Sequence, residues 1–373
     1  MIHFGKISKQ EFLRDYWQKK PLLIKQALPE FISPLTPDEL AGLACEEEFE
    51  SRIVIGSTDD NNWRLNNGPF PEEDFANLPD DNWTLLIQGV DRYVDEVYHL
   101  ISHFDFIPRW RFDDVMISYA ATGGSVGPHF DFYDVFLLQG SGKRRWHISN
   151  ENCTLDNYLN NVPLRIMKQF DAEIVWDAEP GDVVYIPPKV AHHGVSLDDE
   201  CITLSIGYRS YSKQEMLESL ELIEKTKSGE YYQDPQWQND QAPALIPDSA
   251  IESALTFLEL EELPQEFFGC LVTKLDPMDE KILNEFFAYS VSETLEIGAS
   301  YELHPSCRIA YYNTAKGLHI YINGEPFDFG NFDDEMLIEF CNRRRISISA
   351  HNTFNHSLAV FLLELNLIRR LRS

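Results

Sequence analysis

No CxxC pair occurs in the 373 residues, and the six cysteines (Cys45, Cys153, Cys201, Cys270, Cys307 and Cys341) stand singly. That spacing argues against a zinc ribbon and offers no disulfide framework, so the thiols are expected to be reduced and mostly buried. Long apolar runs are missing too: even the stretch 359–365 falls far short of the roughly 20 residues that a membrane span needs. The N-terminus (MIHFGKISKQ) lacks a basic segment followed by an apolar stretch and a small-residue cleavage site, so no secretory signal is expected and the chain reads as cytoplasmic. Positive charge is scarce. Against 31 Lys and Arg stand 61 Asp and Glu, a formal net charge of −30. Such a surface repels a phosphate backbone, which argues against direct nucleic-acid binding, and attracts a strongly basic protein.

With 43% hydrophobic and 13% aromatic residues the chain can fill packed cores, and its length points to two or three domains. Ser8-Lys9-Gln10-Glu11 and Thr36-Pro37-Asp38-Glu39 have the form of capping boxes opening helices, the second with proline at the first helical position. From about residue 82 the pattern changes to short apolar or alternating runs cut by Gly and Pro: 83–88, 115–120, 133–139, 144–149, 173–176, 183–187 and 202–208. Strands so spaced suggest a sandwich or barrel. A third capping box, Ser212-Lys213-Gln214-Glu215, precedes Met216, Leu217, Leu220 and Ile223 at helical spacing. The proline-bearing stretch 229–247 reads as a long surface connection before a short helix near 251–260. Beyond about residue 270 the order is helix (280–289), strand (308–313), turn, strand (318–322), an Asn323-Gly324 turn and two helices running to Arg372. Helices around a small hairpin suggest a winged-helix-like module.

In Gly127-Pro128-His129-Phe130-Asp131-Phe132-Tyr133, His129 and Asp131 are two residues apart, and in a strand that spacing points both side chains to one face. A third ligand candidate, His192 or His193, follows the run Gly181-Asp182-Val183-Val184-Tyr185-Ile186-Pro187-Pro188. Two histidines and one carboxylate with three open positions match the facial triad of non-haem Fe(II) oxygenases, whereas zinc favours closed or cysteine-rich sites. In Lys143-Arg144-Arg145-Trp146 strand parity places Arg144 and Trp146 on one face and the other two cations on the opposite one. A single inward Arg144 can grip a carboxylate in bidentate fashion, as the far end of 2-oxoglutarate requires, while Lys143 and Arg145 face solvent.

These segments resemble the JmjC-domain (cupin-type) Fe(II)/2-oxoglutarate oxygenases, and among them the bacterial ribosomal oxygenases that hydroxylate an arginine of large-subunit ribosomal protein sixteen. The likeness runs through 12–21 (FLRDYWQKKP), 37–44 (PDELAGLA), 113–118 (DDVMIS), the HxD segment continued by Tyr133-Asp134-Val135-Phe136, and Tyr185-Ile186-Pro187-Pro188. It implies a mainly β fold with added helices: a double-stranded β-helix (jelly-roll) JmjC oxygenase domain over 1–210, a helical dimerisation segment over 211–268 and a winged-helix-like domain over 269–373. It also implies His129, Asp131 and His192 as metal ligands and catalytic centre, Arg144 on the distal carboxylate and Thr203 near the cosubstrate, where the family often carries Asn. His193 falls where the bacterial arginyl hydroxylase carries an acidic residue, which favours His192 as the ligand. The implied reaction is hydroxylation of arginine at the 3-position of a basic ribosomal protein by a homodimer, with release of succinate and CO2. Rival readings are hydroxylation of another residue such as histidine or asparagine, demethylation, or a non-catalytic adaptor binding a ribosomal partner through Arg343, Arg344, Arg345, Arg369, Arg370 and Arg372. Which of Asp113, Asp114 or Asp134 would line an acidic substrate pocket is left open, and Tyr119 and Tyr133 are the aromatic candidates for stacking on a guanidinium.

Overall fold

The computed structural model describes residues 1–58, 62–222, 229–237, 242–289, 295–315, 317–349 and 353–371. The chain separates into two units, one formed by Met1–Phe104, Phe112–Ser210 and Gln236–Asn239, the other by Asp105–Arg111, Tyr211–Pro235 and Asp240–Ser373.

In the first unit both capping boxes form. Helices α1 (Lys9–Asp15) and α2 (Pro37–Leu43) begin where the Ser8 and Thr36 hydroxyls accept from the backbone N–H of Glu11 and Glu39, whose carboxylates accept from the cap in return. Short helices α3 (Glu72–Ala76) and α4 (Asp95–Leu100) lie among the strands β1 (Leu22–Ile24), β2 (Ser51–Ile55), β3 (Arg64–Asn67), β4 (Trp83–Ile87), β5 (Phe112–Ala120), β6 (Val135–Ser141), β7 (Arg144–Ser149), β8 (Ile174–Ala178), β9 (Val183–Ile186), β10 (Ala191–Ser196) and β11 (Cys201–Tyr208). One sheet has the order β1-β9-β6-β11-β5-β4-β2-β3 and the other β10-β7-β8, with His129 adding one antiparallel bridge to His192 on β10. From β5 onward the chain passes between these two walls in the order that defines a double-stranded β-helix, with β5, β11, β6 and β9 opposite the His129 segment, β10, β7 and β8. Val135, Leu137, Trp146, Ile148, Val184 and Ile186 fill part of the interior.

Two local differences from the expected strands have backbone causes. The HxD segment is extended but makes only one bridge, because Gly127 is left-handed (φ +79°) and Pro128 has no N–H to donate, while the Asp131 carbonyl accepts from Lys189 N at 2.7 Å. The next strand therefore starts at Val135 rather than residue 133. Conversely the His192-His193 stretch is a strand, β10, although its polar, glycine-containing sequence lacks apolar alternation. Gly194 has a steric reason, since a Cβ there would stand 2.6 Å from the Trp146 ring on β7.

Buried acids tie the barrel together. In the Gly-Asp turn before β9, the Asp182 carboxylate accepts from Gln26 N and Glu179 N, both at 2.8 Å, and from Lys25 Nζ at 2.6 Å. Asp134 accepts from Tyr185 Oη at 2.5 Å and Gln18 Nε2 at 2.9 Å, which anchors the segment after α1.

In the second unit α5 (Lys213–Ser219) starts at Ser212, whose hydroxyl accepts from Glu215 N, and stops before the expected end, with Leu220 as its cap. Met216 and Leu217 are buried within the chain, Leu220 is half-buried, and Ile223 lies outside the described residues. The described residues of 229–247 are not a plain surface loop, since Tyr232, Ala244 and Ile246 are buried and Leu245 bridges to Tyr311. Then come α6 (Asp248–Leu258), α7 (Phe267–Thr273), which the sequence reading missed, and α8 (Pro277–Tyr289). A meander of β13 (Ile309–Thr314), β14 (Gly317–Ile322) and β15 (Glu325–Phe327) and a sheet of β16 (Arg345–Ser347), β12 (Ser300–Leu303) and β17 (Ile368–Arg370) pack with α9 (Asp334–Arg343) and α10 (Thr353–Glu364). The Asn323-Gly324 turn forms with both residues left-handed (φ +52° and +89°), as a two-residue hairpin requires. The C-terminal end corrects the expectation of a helix: β17 pairs with β12, so Arg369 and Arg370 sit on a strand. All six cysteines are free, three buried and three half-buried.

Because Asp134 is fully enclosed, Asp134→Ala strands the Tyr185 hydroxyl and the Gln18 amide without their acceptor. Its urea unfolding free energy is expected to fall by about 2–4 kcal/mol, and an unchanged midpoint would overturn this assignment.

Candidate metal centre

His129 and His192 face each other as a hydrogen-bonded antiparallel pair, His129 N donating to His192 O at 3.0 Å and His192 N to His129 O at 2.8 Å. Side chains of such a pair project on the same side, and the ring centroids are 4.3 Å apart. Asp131, two residues beyond His129 in an extended segment, joins them. Its Oδ2 lies 3.8 Å from His129 Nε2 and 3.7 Å from His192 Nε2, and one ligand atom from each residue falls within 4.8 Å of the others. Among the described residues this is the cluster with metal-ligand geometry.

The backbone also sets the tautomers. Nδ1 of His129 lies 3.0 Å from Gly127 O and Nδ1 of His192 lies 3.2 Å from Val190 O. A carbonyl only accepts, so each Nδ1 carries the proton and each Nε2 presents its lone pair, the arrangement metal-bound histidines use. Burial, reinforced by His129, pushes the His192 imidazole down to about 4 and keeps it neutral. His193 alternates to the other face of β10. Its ring lies 5.7 Å from that of His147 and edge-on to Phe170, and burial pushes it down to about 3. Of the two neighbouring histidines, the structure brings His192 to the cluster.

Along the same face of β7 and β10 the residues run from Ile148 opposite His192, through Trp146 opposite Gly194, to Arg144 opposite Ser196. Arg144 is buried, its guanidinium 5.7 Å from the centroid of the Trp146 ring. Nε donates to Cys201 Sγ at 3.3 Å, while Nη2 is buried with no hydrogen-bond partner among the described residues. Strand parity puts the flanking cations outside, Lys143 on Glu179 at 2.8 Å and Arg145 on Asp177 at 2.7 Å. Thr203 is buried, its hydroxyl donating to Gln139 Oε1 at 3.2 Å. Gln139 and Cys201, which sequence reasoning missed, complete this polar group. Strand alternation was the available signal, since Cys201 stands two residues before Thr203.

Of the three acids left open, Asp134 is enclosed as described. Asp114 is buried and accepts from Gln88 Nε2 at 2.6 Å and Gly89 N at 2.9 Å. Burial, together with Asp113 and Asp91, pushes its carboxyl up to about 7. Asp113 is half-buried and paired with Arg209 at 3.3 Å. Tyr133 is exposed as a residue, and its phenol is pushed well up, first by the Asp131 charge and then by desolvation and the charges of Asp114 and Asp113. Tyr119 is engaged elsewhere, donating to Asp199 O at 2.8 Å and packing edge-on against Trp83.

A jelly roll that brings two histidines and a carboxylate to one point is the architecture of the cupin-type metal oxygenases. A JmjC domain model matches residues 99–216 and a ROXA-like winged-helix model residues 256–366. The chain is 37% identical over 260 residues to the ribosomal protein uL16 3-hydroxylase of Escherichia coli strain K12, covering 69% of this chain and 68% of that protein. It is 34% identical over 359 residues to a probable ribosomal oxygenase of Haemophilus influenzae, covering 89% and 85%. The X-ray structure of E. coli YcfD superposes with a TM-score of 0.70 at 28% identity over the full length of both chains. The same ribosomal oxygenase in complex with cobalt and 2-oxoglutarate gives 0.67 at 27%, covering 98% of this chain and 99% of that one. The chain belongs to the ribosomal oxygenases, JmjC-domain 2-oxoglutarate oxygenases with a ROXA-like winged helix.

His129→Ala and Asp131→Ala each remove one candidate ligand, so both are expected to lose stoichiometric Mn(II) binding by calorimetry while melting within a few degrees of the parent. Full binding in either variant would remove the triad. A second expectation concerns Asp114. A carboxyl raised in the folded state holds its proton more tightly there than in the unfolded chain, so stability falls as pH rises from about 4 to about 7. Asp114→Asn should flatten that part of the profile of melting temperature against pH; an unaltered slope would show that another group titrates.

Proposed function

We propose that this chain is an Fe(II)- and 2-oxoglutarate-dependent hydroxylase of an arginine, at the 3-position, in ribosomal protein uL16, acting in the cytoplasm. The observation that carries the reading is the alignment on one inner face of a two-histidine, one-carboxylate cluster and a buried arginine with an unpaired donor. His129 Nε2, Asp131 Oδ2 and His192 Nε2 would hold the iron, and Arg144 Nη2 is the orphan donor that the distal carboxylate of 2-oxoglutarate would satisfy. Iron with 2-oxoglutarate supplies activation of dioxygen, one oxygen atom entering the substrate C–H bond and the other the succinate formed with CO2.

The chain's own residues do the rest. Arg144 lies four residues along β7 from Ile148, about 13 Å of strand, and its arm reaches back over the Trp146 ring to orient a dicarboxylate along the face. Val135, Leu137, Ile148, Val184 and Ile186 keep the surroundings apolar, which strengthens that charge pairing. The substrate class follows from charge: a surface at −30 attracts a basic ribosomal protein, and the E. coli relative is a ribosomal protein uL16 3-hydroxylase. Tyr133, exposed beside Asp131, is the aromatic placed to stack on an incoming guanidinium. The adaptor reading is weaker because its arginines are engaged within the chain. Arg343 pairs with Glu339 at 3.1 Å, Arg345 and Arg369 with the buried Glu302 at 3.4 and 2.8 Å, and Arg370 with Glu296 at 2.7 Å. Arg344 is buried and donates to Cys307 O at 2.7 Å, and Arg372 lies outside the described residues. A homodimer through 211–268 would need a surface other than Met216 and Leu217, which the chain itself covers. The division at 210 and 268 into oxygenase, dimerisation and winged-helix parts remains part of this proposal.

Incubation of the purified protein with Fe(II), 2-oxoglutarate and uL16 should add one oxygen atom to a single arginine by mass spectrometry, with matching succinate. Oxygen on a histidine or asparagine, or unmodified uL16, would overturn the arginine assignment. Arg144→Ala should raise the KM for 2-oxoglutarate by roughly 30-fold or more with little change in that for uL16, since a charge-assisted pair is lost. Equal sensitivity of Lys143→Ala would refute the inward role of Arg144.

A further inference from the structure

An arginine that must meet a carboxylate edge-on needs its guanidinium plane held, and a buried aromatic ring alone does not hold it against rotation. Behind Arg144 the strands supply a second hold. Its Nε donates to Cys201 Sγ at 3.3 Å, and that sulfur also accepts from Gln139 Nε2 at 3.4 Å. The Gln139 amide is itself fixed, donating to Ser141 O at 2.7 Å and accepting from Thr203 Oγ1 at 3.2 Å. A register shift makes this possible. Ile202 lies opposite Ser141 while Thr203 lies opposite Gln139, so Gly140 is the extra residue of a bulge that the Gln139 side chain spans. Arg144, Cys201, Gln139 and Thr203 are all buried, and Nη2 of Arg144 is the donor left unpaired.

We propose that Cys201 is a positioning residue for Arg144, holding the guanidinium by Nε so that its Nη edge is presented to the distal carboxylate of 2-oxoglutarate. This rests on the reading of Arg144 as the carboxylate clasp. The choice of sulfur has a physical reason. A carboxylate in that place would form a salt bridge with the guanidinium and compete with the ligand, whereas a thiol sulfur is a weak acceptor that orients the group and leaves its charge for the ligand. Thr203 then acts two steps back, by orienting the Gln139 amide.

The test uses the full-length protein loaded with Mn(II) without oxygen, with 2-oxoglutarate and oxalate as calorimetric probes. Oxalate chelates the metal but has no distal carboxylate to reach Arg144. Cys201→Ala is expected to weaken 2-oxoglutarate binding about five- to tenfold and to leave oxalate within about twofold, while Cys201→Ser, which keeps an acceptor, recovers most of the loss. Cys201→Val, which fills the space without an accepting atom, carries the same expectation as Cys201→Ala if the latter folds poorly. Parent-like 2-oxoglutarate affinity in the Ala and Val variants, or equal loss of both probes, overturns the proposal. Arg144→Ala separates the two claims. If it weakens 2-oxoglutarate strongly and Cys201→Ala does not, only the role of the sulfur fails; if Arg144→Ala itself binds 2-oxoglutarate like the parent, the clasp reading fails and the role of Cys201 with it.

Discussion

The proposed metal centre depends on one antiparallel pair, His129 opposite His192, whose amides and carbonyls exchange hydrogen bonds of 3.0 and 2.8 Å. That exchange brings an edge segment with no ladder of its own onto the minor sheet, and it decides that both imidazoles emerge on the same side. Gly127 and Pro128 limit the pairing to a single bridge, after which the chain is free to turn Asp131 toward both rings. A longer ladder would hold Asp131 to regular strand geometry, whereas no bridge would leave His129 on a free loop. The tautomers follow from the same backbone, because the carbonyls of Gly127 and Val190 each engage the Nδ1 of a nearby histidine. Preorganisation here is a property of main chain more than of side-chain packing.

From that pair the face of β7 and β10 extends in a fixed order. Trp146 separates the histidine end from Arg144, and Gly194 leaves the space its ring occupies. The ring thus spaces the metal cluster from the cation and supports the cation as well. Were a dicarboxylate held at both ends, as proposed, it would have to match this spacing, and strand register would set the chain length it must have. Apolar neighbours reinforce it, because a charge pair formed away from water is stronger than the same pair at the surface.

Much of this was legible in the sequence, and the omissions share a cause. Ser8, Thr36 and Ser212 announce helices because capping chemistry is local, and β7 was readable to the residue because its alternation is clean. Parity alone separated Arg144 from Lys143 and Arg145. β10 was not legible as a strand because Ala-His-His-Gly-Val-Ser has no apolar period; its existence depends on β7 and on His129, partners distant in sequence. β17 was misread for the converse reason. The apolar spacing near the C-terminus continues a helical pattern, but Leu303, Glu302 and Tyr301 on β12 supply a ladder that overrides it. The contact of Cys201 with Arg144 is likewise invisible to any local window, since 57 residues separate them.

The distribution of charge bears on what the second unit does. Glu302, buried on β12, is flanked by Arg345 on β16 and Arg369 on β17, so two cations that a sequence scan counts as a basic cluster hold adjacent strands together. Buried pairs of this kind are costly to break from either side, because the remaining charge is left in the interior. Arg343 and Arg370 add surface pairs, and Arg344 closes α9 with its side chain on the Cys307 carbonyl. The described arginines of this basic cluster are thus engaged within the fold, whereas nucleic-acid readers of similar architecture depend on cations displayed on one face. With those arginines engaged and a formal net charge of −30, the field around the chain attracts cationic groups, while Arg144 lies buried in the barrel, away from the surface.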